Sequence, residues 1–452
     1  MDKQHENPLG VEPINHLMAR FAIPSIIAML VSALYNMVDQ FFIGHSVGMQ
    51  GNAATNVAFP LTITCTAVSL LFGIGGAANF NLSMGRKKPE EAKHFIGNAI
   101  FLMLSFGITL CLLVFLFLDP LLKLFGATAD ILTYSRTYTS ITAFGFPFVI
   151  LATGGSNLVR ADGSPNFSMA CTLIGCLINL VLDPLFIFVF HMGMAGAAWA
   201  TIIGQIISAS MVIWYLTRFK TVKLTLKELR PRAFACRRIL SLGMSPFLNQ
   251  LAIMIVQVVM NNVLVFYGGQ SVYGSEIPLA CAGIISKVNM IFFSISIGLS
   301  QGMQPIASFN YGAENYGRVR EAVIKTMTAS TLICTVAFIL FQLFPRQITG
   351  IFGSGSEEYF TFASRYFRIF LFFTFLNGIQ PVAGNFFTAI GKPVYGIFIS
   401  LTRQILFLLP LILILPQFFG IDGVLYSAPI ADFLAACLAL ILTLRQLKKL
   451  GQ

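Results

Sequence analysis

RFKTVKLTLKELRPRAFACRR, residues 218–238, is the longest polar stretch of the chain and divides its 452 residues nearly in half. Sequence on its two sides repeats. ADGSPNFSM (161–169) aligns with AIGKPVYGI (389–397) at a shift of 228, and GMAGAAWAT (193–201) with GIDGVLYSA (420–428) at 227. Pro24 matches Pro246 at a shift of 222, and NLSMGRKKPEEAK (81–93) resembles SFNYGAENYGRVR (308–320). The polar stretch therefore joins two copies of one unit, which gives 1–217 as an N-terminal lobe, 218–238 as a linker and 239–452 as a C-terminal lobe.

Outside the linker the chain is apolar. Hydrophobic residues make up 56%, charged residues only 10%, and the mean hydropathy is +0.79. Globular domains carry roughly 25% charged residues, so water cannot be the main solvent of this surface. That excludes a soluble enzyme, a nucleic-acid binder and a disordered chain, despite a net charge of +11. Apolar runs predict twelve membrane helices, near 15–45, 52–85, 93–118, 134–160, 164–190, 194–217, 239–267, 277–311, 319–344, 358–388, 392–416 and 420–446. The predicted fold is an all-α integral membrane protein with six helices per repeat. Six is even, so both repeats enter the bilayer in the same direction, the parallel-repeat arrangement of secondary transporters.

Charge placement predicts the orientation. With the N-terminus inside, 22 of the 29 lysines and arginines fall on the inner side, among them Lys3, Arg86, Lys87, Lys88, Arg160, Lys392 and the linker bases. Five fall outside: Lys123, Arg136, Arg346, Arg365 and Arg368. The excess predicts a multi-pass cell-membrane (plasma or inner membrane) protein with both termini cytoplasmic. The N-terminus lacks the apolar core of a cleaved signal peptide, so the first helix is expected to do the targeting. The eight cysteines show no metal spacing and read as small hydrophobes.

Ionisable groups inside spans are expensive, which makes Asp39, Asp183, Lys287, Arg403 and Asp432 the residues to explain. No Ser/His/Asp set, HExxH or paired-carboxylate helix is present, so no catalytic residues are assigned and an intramembrane enzyme is unsupported. Tyr35 lies one turn before Asp39, and Asn179 one turn before Asp183; Thr201 and Gln205 repeat the spacing. If these stripes converge, they form a polar chamber within the first lobe able to hold a proton or a cation. Pro184 removes a backbone donor beside Asp183, and Pro24 weakens the first helix; both are expected hinges. The plainer alternative is a pair of neutral buried acids hydrogen-bonded between helices. Against it, Asp39 aligns near Asn261, and Asp183 near Leu409 or Leu411, so the repeat itself does not demand acids there. In the second lobe, Asp432 aligns with Gln205 and has Lys287 and Arg403 as intramembrane charge partners. A structural salt bridge there competes with a substrate or gating role for Lys287, Arg403, Asp432 and Gln205. Arg403 can also snorkel toward the cytoplasm.

FAIPSIIAMLVSALYNMVDQFFIG, GLSQGMQPIASFNYGA, GNFFTAIGKP and GIDGVLYSAPIADF, in that order along the whole chain, resemble the multidrug and toxic compound extrusion (MATE) family. Asp39 with Asn179 and Asp183 resembles its DinF-like branch, and LVLDPLFIF with FNYGA its MepA-like exporters; the absence of an acid in helices seven and ten departs from the NorM-like pattern. The resemblance implies two six-helix lobes in a V around a central cavity, and antiport of lipophilic cationic drugs against H⁺ or Na⁺. It also implies ion coupling by Tyr35, Asp39, Asn179, Asp183 and Thr201, with Na⁺ at Asp39, Asn179, Asp183 and Thr201 as the alternative to a proton. No cofactor, no nucleic acid and a monomer in the lipid bilayer are expected. The alternatives are a lipid-linked precursor flippase of the same superfamily and, from another class, an ion channel.

Overall fold

The computed structural model describes residues 7–274, 276–351 and 356–450. Lys3, counted above among the inner bases, lies outside them. Among the described residues every regular element is helical. Ten helices are long and apolar enough to cross a bilayer, and two bent pairs bring the spans to twelve.

Spans 1 to 3 are Ile14–Ser46, Met49–Gly85 and Pro89–Leu116. Span 4 was expected as one helix over 134–160; it is two, Ala129–Phe144 and Phe146–Ala161, bent by 54° at Gly145. Span 5, Pro165–Pro184, continues as a π-helical turn over Leu185–Val189, and span 6 is Gly193–Leu216. Spans 7 to 9 are Ala233–Gly269, Glu276–Gly312 and Tyr316–Leu343. Span 10 breaks between Glu357–Phe370 and Ile379–Ala389, and its two limbs are bent by 43°. Span 11 runs Pro393–Leu401, a π-helical Thr402–Leu408 and Leu409–Phe419; span 12 is Ile421–Leu450. Each repeat thus breaks its fourth helix and widens its fifth. Pro24 does not interrupt span 1, which is continuous through it. At Pro184 the missing amide is accommodated by the π turn that begins at the next residue, the usual place for such a bulge being a functional site.

The close backbone contacts between the lobes lie toward the end that carries the linker and the described chain termini. Their contact is reciprocal. A Cβ at Gly85 would stand 2.1 Å from the Phe309 carbonyl oxygen, and one at Gly312 2.2 Å from the Leu82 carbonyl oxygen. Since 312 minus 85 and 309 minus 82 both equal 227, these are the same contact related by the repeat. That is the isologous pattern of a two-fold axis, here within one chain. The stretches whose similarity revealed the duplication are the ones that touch. Nearby, a Cβ at Gly243 would fall 1.7 Å from the Leu71 carbonyl oxygen, so span 7 lies backbone-to-backbone on span 2. Span 8 lies likewise on span 1 at Gly298 and Gly302, 2.6 Å from the Ile26 and Ala22 Cα atoms by the same measure.

Two leader segments cross between lobes at this end. The leader of span 1, with its short helix Pro8–Val11, sits on the C-terminal lobe. Asn310 donates to the Leu9 carbonyl at 2.8 Å, and Arg318 donates to the carbonyls of Leu9 and Glu12 at 3.2 and 2.6 Å. Leu9 and Leu17 are buried among Ile306, Val319 and Phe386. The linker that leads into span 7 sits on the N-terminal lobe. Asn98 donates to the carbonyls of Glu228 and Arg230 and accepts from the Arg232 amide at 2.7 Å. Asp162 accepts from the amides of Lys220 and Thr221 at 2.7 and 3.0 Å and from the Tyr215 hydroxyl at 2.8 Å. Ala235 and Ile239 then join the core of the N-terminal lobe.

Candidate functional site

The five residues assigned to ion coupling converge. Tyr35 and Asp39 come from span 1, Asn179 and Asp183 from span 5, and Thr201 from span 6. The two carboxyls lie side by side, close enough for each to act on the other. Two carboxylates offer only acceptors, so they can share a site only with a proton or a cation between them. Asn179 spans the group in the carboxamide orientation that satisfies its neighbours. Its nitrogen donates to Asp183 Oδ2 at 2.6 Å, while its oxygen accepts from the Tyr35 hydroxyl at 3.2 Å and the Thr201 amide at 2.9 Å. The Thr201 hydroxyl donates back to the Ala197 carbonyl at 2.9 Å. Asp183 is fully buried and Asn179 is 2% exposed.

One carboxyl oxygen on each acid, Asp39 Oδ1 and Asp183 Oδ1, is buried with no hydrogen-bond partner. Such groups are rare in folded proteins and each asks for an explanation. Here the free oxygens, the Asn179 carboxamide and the Thr201 hydroxyl supply the acceptors that a proton or a small hard cation uses. Among the described residues no group of three or more His, Cys, Asp or Glu could hold a metal ion.

A sixth member was not read from the sequence. Tyr138, in the first limb of span 4, is buried beside Thr201 and lies close enough to both acids to feel their charge. The segment TYSRTYTSITAF looks like an amphipathic outer end, and only the break at Gly145 turns it into the chamber. Gln205 is found at that break: a Cβ on Gly145 would come 2.5 Å from Gln205 Oε1. It therefore packs the kink rather than joining the acids.

In the second lobe the partner of Asp432 is Arg403. Arg403 Nε donates to Asp432 Oδ1 at 2.5 Å, so Arg403 pairs within the membrane instead of snorkelling. The Asp432 side chain is 1% exposed and that of Arg403 21%. Arg403 sits in the π-helical part of span 11, which turns it toward span 12. Breaking a buried pair by removing one partner costs about 3–5 kcal/mol, because the other charge is stranded. Asp432→Ala is accordingly expected to lower the unfolding temperature in detergent markedly, and the double variant Arg403→Met, Asp432→Leu to recover most of it; equal losses in both would show that the pair's charges are not what matters. Lys287, the other candidate partner, makes no ion pair among the described residues and is exposed on span 8.

Arg160 departs from its expected place. It was counted with the inner loops, yet it is 5% exposed, between the lobes, donating to Asn157 Oδ1 at 3.2 Å and to Gln301 Oε1 of the opposite lobe at 3.1 Å. Its Nε has no partner. Its position at a helix end, just before Asp162 and Gly163, hides this in the sequence.

Twelve spans in two repeated lobes, closed on each other at one end, with paired acids inside one lobe, define a polytopic membrane transporter and not an enzyme. The MatE family profile matches residues 24–185 and 251–414, and the chain belongs to that family. It is similar to the multidrug export protein MepA of Staphylococcus haemolyticus, 26% identical over 424 residues covering 94% of this chain and 92% of that one. MepA of Staphylococcus aureus is 25% identical over 431 residues, covering 95% and 93%. The fold matches an outward-facing multidrug-resistance MATE transporter of the MOP superfamily at a TM-score of 0.91, with 21% identity over the whole of both chains.

Proposed function

We propose that this chain is a multidrug exporter that moves lipophilic cations out of the cell in exchange for H⁺ or Na⁺ bound at Asp39 and Asp183. The observation that carries the reading is the carboxyl pair itself, two neighbouring acids with a buried, unpartnered oxygen each and the Asn179 amide on Asp183, held inside one lobe of a two-lobed membrane fold. A cation arriving at the pair changes the charge inside the N-terminal lobe, and with it the lobe's affinity for a positively charged substrate. Only such a differential affinity between two states can couple the movements. The multidrug export named for both MepA relatives supports the substrate class.

The protein works as a monomer in the plasma or inner membrane, with both termini and the linker in the cytoplasm. On that orientation the state described here is shut toward the cytoplasm, since the close contacts at Gly85, Gly243 and Gly312 lie on the linker side. An ion channel is disfavoured by the same geometry, which offers a chamber closed inside one lobe. A flippase for lipid-linked anions would have no use for paired acids.

The test is transport of a fluorescent lipophilic cation in proteoliposomes under imposed H⁺ and Na⁺ gradients. Uphill movement under one gradient and counterflow without either are expected. Conduction of ions with no second substrate would instead establish the channel.

A further inference from the structure

Of the five charges that the sequence places inside spans, Lys287 is the one that neither the acid pair nor the second-lobe ion pair absorbs. Its surroundings follow from the register of span 8. Gly298 and Gly302 face span 1 of the opposite lobe, touching it at Ile26 and Ala22. Lys287 precedes Gly298 by eleven residues, which at about 100° per residue returns it to within roughly 20° of the same face. The opposite face of this stretch, with Cys281, Ile285 and Val288, is buried in the C-terminal lobe. Lys287 therefore points toward the N-terminal lobe at a level where the two have parted. It is exposed there, with no acid in ion-pair range among the described residues.

The floor of the same cleft carries the same sign. Gln301, fourteen residues and about 21 Å further along span 8, receives Arg160 from the N-terminal lobe, buried, with only amide oxygens as partners and its Nε free. The acids of the interior are spoken for elsewhere: Asp39 and Asp183 hold each other inside the N-terminal lobe, and Asp432 holds Arg403. Of the two cations Lys287 is exposed and Arg160 buried beneath it, and neither has an ion pair among the described residues. An unpaired charge in such a setting is costly unless a ligand completes it.

We propose that the interlobe cleft recognises an anionic group, a carboxylate or a phosphate, on an amphipathic molecule, and that Lys287 is the residue that receives it. The walls are two long apolar spans, 1 and 8, so the rest of the ligand is apolar or aromatic. Joined to the acid pair in the N-terminal lobe, this makes the preferred substrate a zwitterion rather than a simple cation. The inference rests on the cleft being a substrate path, and refines the substrate class given above. A short-range contact between Lys287 and a carboxylate gives a charge-assisted hydrogen bond, the strong kind.

The test needs binding alone, with no ion gradient. Rhodamine 110 carries a free carboxylate, and its methyl ester, rhodamine 123, differs only in lacking that charge. Fluorescence polarisation with the full chain in phosphatidylcholine nanodiscs is expected to show tighter binding of the acid by about tenfold. Lys287→Gln should collapse that ratio toward one, and Lys287→Arg should keep it. Adding phosphatidylglycerol tells the anion's source: competition seen with the unchanged chain and absent in Lys287→Gln identifies a lipid phosphate as an occupant, and no competition a soluble one. A ratio that Lys287→Gln leaves intact, or that Lys287→Arg loses as fully, overturns the proposal. Failure of both dyes to bind the unchanged chain overturns it together with the export reading.

Discussion

An Asp39→Asn chain in proteoliposomes is expected to lose uphill export altogether while folding normally. A tenfold gradient of the coupling ion supplies about 1.4 kcal/mol, so a one-for-one exchange sustains at most a tenfold gradient of the exported cation. Asparagine keeps the size and hydrogen-bonding capacity of the side chain but cannot trade a proton or offer a full negative charge to sodium. The gradient should fall from about tenfold to none, while the substrate still binds and the melting temperature stays near that of the unchanged chain. Asp183→Asn should do the same. It sits deeper and takes the Asn179 amide at 2.6 Å, so its loss of hydrogen bonding is greater. Export that persists in either variant would remove the coupling role from the pair. Comparing H⁺ with Na⁺ gradients in the unchanged chain then names the ion.

Gly312→Ala is expected to have the second large effect, from a single added carbon. The new Cβ would stand 2.2 Å from the Leu82 carbonyl oxygen, far inside van der Waals contact, and backbone on the other side cannot step aside. Overpacking of this kind costs typically 1–3 kcal/mol, which shifts a two-state equilibrium by roughly five- to 150-fold. The lobes themselves are untouched, so the strain falls on their closure alone. Spin labels on spans 2 and 8 near this end should show a longer and broader distance distribution than in the unchanged chain, and export should fall with it. Gly85→Ala, its repeat-related counterpart, should reproduce the result. An unaltered distance distribution would mean that this contact does not gate the closed state.

Much of this molecule was written in its sequence in forms that short-range physics makes visible. Spans follow from runs of apolar residues, and the duplication follows from matched segments whose backbones meet across the pseudo-two-fold axis. The chamber was legible because each acid carries a polar partner one helical turn away: Tyr35 with Asp39, Asn179 with Asp183. What escaped was set by breaks and by long-range contact. Tyr138 enters the chamber only because span 4 bends by 54° at Gly145. Arg160 at the end of its helix is indistinguishable from a loop arginine until Gln301, 141 residues away, is seen to receive it. The choice between Lys287 and Arg403 as the partner of Asp432 depended on a π-helical segment, and periodicity of 3.6 does not foretell one.

The crossed leaders also fix what kind of joint this is. Each lobe grips the segment that feeds the other, so two lengths of chain bind the two halves together at one end. The arrangement is that of tongs, whose tips part freely while the pivot is wrapped. Opening at the far end disturbs only side chains. Opening at the wrapped end must either unpeel Leu9 from Asn310 and the linker from Asn98, or swing each leader with the lobe that holds it. In the second case the first turns of spans 1 and 7 become levers, and a push on one lobe is delivered as a twist to the leading helix of the other.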